Sequence, residues 1–310
     1  SADQAREQWR IIRQQTSKPI NLNFFCHSAP NVDDAREQAW RKRLAPYYQE
    51  FGIDPAAPIP TSNRTPFDDG LCRMVEEFRP AVVSFHFGLP DKALLDRVKA
   101  TGAKVIAAAT SVDEAIWIEA RGADAVIVQG AEAGGHRGMF LTDDTACQAG
   151  TMALVPQVVD AVKVPVIAAG GIGDGRGIAA ALALGAAGVQ IGTAFMLTPE
   201  ARTAPMHRTA LKKANDNSTT LTNVFTGRPA RGIVNRVVRE VGPMSPDAPA
   251  FPLAAEAMQP LRGPAEAKGS TDFTPLWSGQ APTLAREMPA GELLAAMVRE
   301  TGAVFSRVRG

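Results

Sequence analysis

The sequence predicts an α/β protein, a (β/α)8 TIM barrel with a mostly helical C-terminal extension. Three observations predict it. Short apolar runs alternate with segments of helical periodicity in the order of βα units. The runs are apolar nearly throughout, as strands of a parallel sheet covered on both faces must be. Between residues 81 and 195 the strands follow one another closely, which favours a barrel over a doubly wound sheet.

The chain opens on SADQAREQWRIIRQQT, an amphipathic helix with no strand before it. PINLNFFC (19–26) reads as the first strand, and residues 28–79 as a helical, proline-rich excursion that forms a cap. Five further strands follow: AVVSFHFG (81–88), KVIAAAT (104–110), ADAVIVQG (123–130), VPVIAAGG (164–171) and GVQIGTAF (188–195). Between them lie DKALLDRVKATG, SVDEAIWIEARG, GTMALVPQVVDAV and DGRGIAAALALGA, whose apolar residues recur at helical spacing and which mostly close on glycine. Six strands are counted where a closed barrel needs eight, so the first two βα units are expected to be absent from this chain. Residues 1–200 are assigned to the barrel. Residues 201–310 show no further strong strand and include stretches such as GPMSPDAPAFP, so they read as a mostly helical cap on the substrate side.

Composition excludes several classes. The chain has 310 residues, 45% apolar and 21% charged, with a net charge of +1, an ordinary globular profile. Basic residues are scattered and aromatics few, which argues against nucleic acid as a partner. Cys26, Cys72 and Cys147 are widely spaced without a CxxC, so neither a disulfide framework nor a zinc site is indicated. No run approaches the ~18 apolar residues of a membrane span, and no signal-peptide profile opens the chain. A cytoplasmic location is the expectation.

The strand ends carry the candidate chemistry. Gly170 and Gly171 end one strand, and Gly192 with Thr193 ends the next. Glycine lets backbone N–H groups approach a phosphate, and the last two strands of a barrel are where a phosphate site forms. GGIGDG matches a dinucleotide fingerprint only loosely, and the acidic residue expected about 20 positions on is missing, so a Rossmann reading is rejected. In AEAGGHRG (131–138), His136 sits on a glycine loop at the barrel mouth, and its ordinary pKa suits proton abstraction or anion binding. Gln129 offers an amide to a heterocycle edge. Alternation puts Ser84, His86 and Gly88 on the inner face, with Phe85 and Phe87 on the other. Asn21 and Asn23 share a strand face and point at a ligand, whereas His27 and His207 read as surface residues. No nucleophile elbow, zinc cluster or Walker loop appears, and a site of amides, glycines and imidazole needs a cofactor to supply reactivity.

In order, PINLNFF, VSFHFG, ADAVIVQGAEAGGHRG, PVIAAGGIGDGRG and VQIGTAF resemble the nitronate monooxygenase family of FMN-containing barrels, over most of residues 15–240. The resemblance implies FMN, with its phosphate on Gly170, Gly171, Gly192 and Thr193. It implies that Asn21, Gln129, Gly134, Gly135 and Gln190 line the flavin. His136 matches the family's loop histidine, a base or anion-orienting group, and His86 the strand histidine of its nitronate-specific class. The implied reaction is oxidation of an alkyl nitronate, such as propionate 3-nitronate, by O2 to a carbonyl compound and nitrite, without a metal. It leaves a homodimer open. Where the nitronate-specific class carries a tyrosine pair and a lysine, this sequence has Phe251, Ala255 and Gln259, and its only tyrosines are Tyr47 and Tyr48. Two other readings stand beside it: an FMN-dependent NAD(P)H oxidoreductase acting on quinones or enoyl thioesters, and a flavin-binding protein without turnover.

Overall fold

A computed structural model of the chain describes residues 2–58 and 64–309. Its strands are β1 (Asn21–Phe25), β2 (Val82–His86), β3 (Lys104–Ala109), β4 (Ala125–Gln129), β5 (Gly135–His136), β6 (Val166–Ala169), β7 (Gly188–Gln190), β8 (Thr219–Thr222) and β9 (Ala230–Ile233). The helices are α1 (Ala2–Gln15), α2 (Asp34–Glu50), α3 (Asp69–Phe78), α4 (Lys92–Ala100), α5 (Val112–Ala120), α6 (Thr151–Ala161), α7 (Gly175–Ala183), α8 (Pro205–Lys213), α9 (Arg236–Val241), α10 (Ala254–Ala267) and α11 (Ala290–Arg309). No helix among the described residues is long and apolar enough to cross a membrane.

Each of the six apolar runs becomes a strand of one parallel sheet in the order β1-β2-β3-β4-β6-β7. Its edges β1 and β7 do not pair with each other among the described residues. The helices between the strands start where the sequence offers a cap. Asp68, Asp91, Ser111 and Asp174 each accept a first-turn backbone N–H of α3, α4, α5 and α7, an interaction that contributes about 1 kcal/mol apiece. Alternation along the strands then divides the side chains. Val83, Phe85, Val105, Val126, Val128 and Val166 face the helices, in a core with Val75, Leu95, Ile118 and Val155. Ile106, Ala108, Ile127, Ile167 and Ala169 form a smaller layer on the inner face. Register places Asn23 beside Ser84, Phe25 beside His86, and Gln129 beside Ala169, which faces Gln190. The polar residues of the sequence pattern are thereby gathered at one end of the sheet.

The excursion and the C-terminal region share a second core. Trp40, Leu44, Tyr47 and Tyr48 of α2 pack against Val237, Met258, Leu261 and Phe273. The Trp40 indole donates to Ala254 O at 3.2 Å, and the Tyr47 hydroxyl donates to Glu240 Oε2 at 2.8 Å. Both tyrosines therefore serve the cap. At the other end of the chain, α11 lies on α7, and their backbones approach so closely that a Cβ at Gly175 would stand 2.3 Å from Glu300 Cβ.

Three expectations need correction. Residues 201–310 do hold strands: β8 and β9 pair antiparallel, and β5 adds to β9. TTLT and ARGI are short and carry Thr and Arg, so they show no apolar run for the sequence pattern to reveal. His27 is 4% exposed. The excursion folds back, with Phe67 N donating to Phe25 O at 2.7 Å and Arg64 O taking the His27 Nε2 bond at 3.3 Å, and so covers the end of β1. His207, on α8, is likewise half-buried, with Nε2 3.1 Å from Trp277 O.

Candidate active site

The strand ends open into a cavity of about 550 Å³, within the range of small-molecule sites. The structure brings all of the sequence-derived candidates to its wall: Asn21, His86, Gln129, Gly134, Gly135, His136, Gly170, Gly171, Gln190, Gly192 and Thr193. Not one Asp, Glu, Lys, Arg, Cys or Tyr lines it among the described residues.

On β1 and β2 the polar inner face is a hydrogen-bonded chain. Asn21 Nδ2 donates to Ser84 Oγ at 2.8 Å, and Ser84 Oγ donates to Asn23 Oδ1 at 2.9 Å. The serine hydroxyl fixes both amides, leaving the Asn21 carbonyl and the Asn23 N–H groups to a ligand.

The glycine loop after β4 is tightly held. Gln129 donates through Nε2 to His136 O at 3.0 Å and accepts from Gly138 N at 2.7 Å. Its amide therefore positions the loop, where the sequence suggested a partner for a heterocycle. His86 Nε2 also donates to His136 O, at 3.2 Å. Gly138 permits that approach, since a Cβ there would stand 2.9 Å from His86 Cε1. Arg137, fully buried, donates to Gly130 O, to Gln129 O at 2.9 Å and to Gln148 Oε1 at 2.6 Å. The arginine after the histidine is thus a strut of the loop. His136 itself belongs to β5, opposite Ala230, so its ring is carried on paired backbone.

His136 Nε2 lies 2.9 Å from Thr226 Oγ1. Its ring sits 5.4 Å from Phe251, 5.5 Å from Trp277 and 6.1 Å from Phe25, centroid to centroid. Burial pushes its pKa down to about 3, with the charges near His86, Arg64 and Arg228 adding to the effect. Burial lowers His86 to about 4, partly offset by its bond to the His136 carbonyl. Both imidazoles are neutral at pH 7, and with Nε2 of His86 donating, its Nδ1 is the free acceptor.

Alternation fails at one residue. Phe87 takes a left-handed φ of 69°, which is rare for a side chain of that size. The turn brings its ring to the site side, 4.5 Å from the His86 ring and 5.1 Å from Phe25. Of the three residues at the positions of the tyrosine pair and lysine, only Phe251 reaches these rings, 4.8 Å from His27. Ala255 is half-buried, and Gln259 is exposed beside a separate cavity with Arg41 and Tyr48.

Opposite the imidazoles lies the glycine cradle. Gly170 and Gly171 have φ of 117° and 69°, conformations that glycine permits. A Cβ on Gly192 would meet nothing within 4 Å. The N–H groups of Gly171, Gly192 and Thr193 have no acceptor among the described residues, and they border the cavity as an anion site would. The residues thus fit a phosphate-bearing group. Sequence reasoning missed the strap Trp277–Ser278–Gly279, which lines the same cavity. Gly279 N donates to Thr193 Oγ1 at 2.9 Å, and Gln280 N donates to Glu132 O at 3.0 Å. The strap passes so near the loop that a Cβ on Gly134 would stand 2.5 Å from Gly279 N. The WSGQ stretch, which carries the one tryptophan after Trp117, was the available signal.

The sequence model of the nitronate monooxygenase family matches residues 1–300. The chain is 44% identical over 302 residues to a nitronate monooxygenase of Pseudomonas aeruginosa, covering 97% of this chain and 86% of that protein. It is 41% identical over 312 residues to one of Paraburkholderia phytofirmans, covering 100% of this chain and 85% of that protein. Among solved structures, a nitroalkane oxidase from Streptomyces ansochromogenes superposes with a TM-score of 0.90 at 36% identity, covering 99% of this chain and 87% of the other. FabK from Thermotoga maritima superposes at 0.75 with 29% identity, covering 100% and 84%. With its six-stranded parallel sheet, neutral imidazole loop and glycine cradle, the chain belongs to the nitronate monooxygenase family.

Proposed function

We propose that the protein binds FMN and oxidises alkyl nitronates with O2 to a carbonyl compound and nitrite. One observation carries the reading: among the described residues the cavity wall holds amides, glycines and two imidazoles but no acid, amine, thiol or phenol. Such a wall cannot perform redox chemistry itself and depends on a resident cofactor. FMN, when bound, supplies one-electron redox chemistry and reaction with O2. Gly171, Gly192 and Thr193, which line the cavity, would hold its phosphate through backbone N–H groups, and Asn21 and Gln190 would be available to its ring. Phe25, Phe251 and Trp277, packed around His136, would keep water from the groups beside it.

The histidines favour a substrate that arrives already deprotonated. An imidazole whose pKa lies near 3 is a weak base toward a neutral nitroalkane C–H. A nitronate needs only to be oriented, and His136 and His86 can do so by hydrogen bonding while neutral. The six strands fit part of a (β/α)8 barrel in which the edges β1 and β7 receive two more βα units. In this reading residues 1–200 form the flavin-binding barrel, and residues 201–310 cover the substrate side together with α2. Three unpaired cysteines support a reducing, cytoplasmic location.

Anaerobic mixing of flavin-loaded protein tests the proposal. Rapid flavin reduction by an alkyl nitronate, with slow or no reduction by NADPH, is expected. Rapid reduction by NADPH alone would move the protein to the quinone or enoyl thioester class.

A further inference from the structure

We infer that Arg228 positions the anionic substrate at this site, acting from just behind the aromatic wall that carries His86 and His136. Its guanidinium lies 4.2 Å over the Phe87 ring, and one amino group donates to Met139 O. Its Nε is buried with no hydrogen-bond partner among the described residues. No carboxylate lies within ion-pair distance of Arg228 among the described residues. The neighbouring Arg137 differs, since its guanidinium is fully engaged by Gly130 O, Gln129 O and Gln148. Among the described residues the other buried side-chain atom without a partner, His27 Nδ1, belongs to the same aromatic group, 6.5 Å ring to ring from Phe87. The left-handed Phe87 is what makes the arrangement: it turns a flat ring between the guanidinium and the imidazoles.

A buried cation that no carboxylate contacts, with Asp143 and Glu114 acting on it only from beyond ion-pair distance, is unfavourable, and its field is little screened across packed rings. An anion entering the cavity relieves that imbalance. Among the described residues the cavity wall carries no cation of its own, so a nitronate would otherwise meet only neutral groups there. Arg228 therefore favours the charged form of the substrate over its neutral nitroalkane without touching the reacting atoms.

The inference rests on the nitronate reading, which nitrite release by the unmodified, flavin-loaded protein tests separately. The probes are propyl-2-nitronate as substrate and inorganic nitrate as an unreactive planar anion. In R228M, KM for the nitronate and the inhibition constant for nitrate should both rise by roughly tenfold or more, with kcat per bound flavin within about threefold. R228K, which keeps the charge, should recover most of both. Unchanged KM and nitrate inhibition in R228M would overturn the inference, as would loss of turnover that only follows loss of flavin. Should R228M not fold, R228Q replaces it, and failure of nitrate to compete in the unmodified protein is equally decisive against the inference.

Discussion

Gly134→Ala puts the contact between loop and strap to a quantitative test. The added Cβ would lie 2.5 Å from Gly279 N, 2.6 Å from Ser278 C and 3.0 Å from Ser278 Cα, all backbone atoms that cannot swing aside. Ordinary contact begins near 3.4 Å, so the strap must retreat by close to 1 Å. That movement breaks or weakens Gly279 N to Thr193 Oγ1 and Gln280 N to Glu132 O. Overpacking of this kind costs about 1–3 kcal/mol, and two hydrogen bonds add about 1–3 kcal/mol if lost outright. Partial relaxation brings the expectation to about 2–4 kcal/mol, or a fall in Tm of about 3–6 °C for a chain of this length. Trp277 moves with the strap, so nitronate turnover should fall as well. The assay is thermal unfolding followed by circular dichroism, with flavin content and turnover measured on the same samples. Gly302→Ala is the control: it lies inside α11 with nothing within 4 Å of its Cβ, and should be neutral or stabilising by up to about 1 kcal/mol. A Gly134→Ala protein as stable and as active as its parent would refute the reasoning.

Three further outcomes follow from the site. His136→Ala should retain FMN but lower nitronate turnover by ~10²-fold, read as kcat per bound flavin; unchanged turnover returns His136 to a packing role. Gly192→Glu directs a carboxylate into the open space beside the glycine cradle and should weaken FMN binding by ~10²-fold or more in a flavin titration, while the fold melts normally. Acid should destabilise the flavin-free protein through both imidazoles. Their folded pKa values, about 4 for His86 and about 3 for His136, lie below the ordinary 6.5. Between about pH 6.5 and 4 the unfolded chain therefore binds protons that the folded chain refuses, and stability falls as pH drops through that window. Urea unfolding near pH 5 should show about 2–4 kcal/mol less stability than near pH 7.5, and much of this difference should vanish in a His86→Asn, His136→Asn double variant.

Much of this site was legible because parallel strands announce themselves. VVSFH, AVIVQ and VIAA are apolar along their length, so their ends, and the Gly170–Gly171 and Gly192–Thr193 turns, could be placed from the sequence. Inner-face residues such as Asn21 and His86 followed from the two-residue period, and Gln129 from its place at the end of its strand. What stayed hidden depends on contacts distant in sequence. Trp277 reaches His136 from the far end of the chain, and β9 pairs with the histidine loop through only two of its residues, Ala230 and Arg231. His27 looked exposed because nothing local says that the excursion returns over β1. Phe87 was assigned the wrong face because alternation assumes extended backbone, and a positive φ breaks it. The histidine pKa values were unreadable for the same reason: the rings that desolvate them come from β1, the residue after β2, the strap and the segment before α10.

The most direct measurement is nitrite released per bound FMN when an alkyl nitronate such as propionate 3-nitronate is added to the purified protein in air without NAD(P)H. The account predicts many turnovers, abolished by removing O2 and by removing the flavin. A protein that takes up FMN and yet yields no nitrite, or one that takes up no FMN at all, would contradict it.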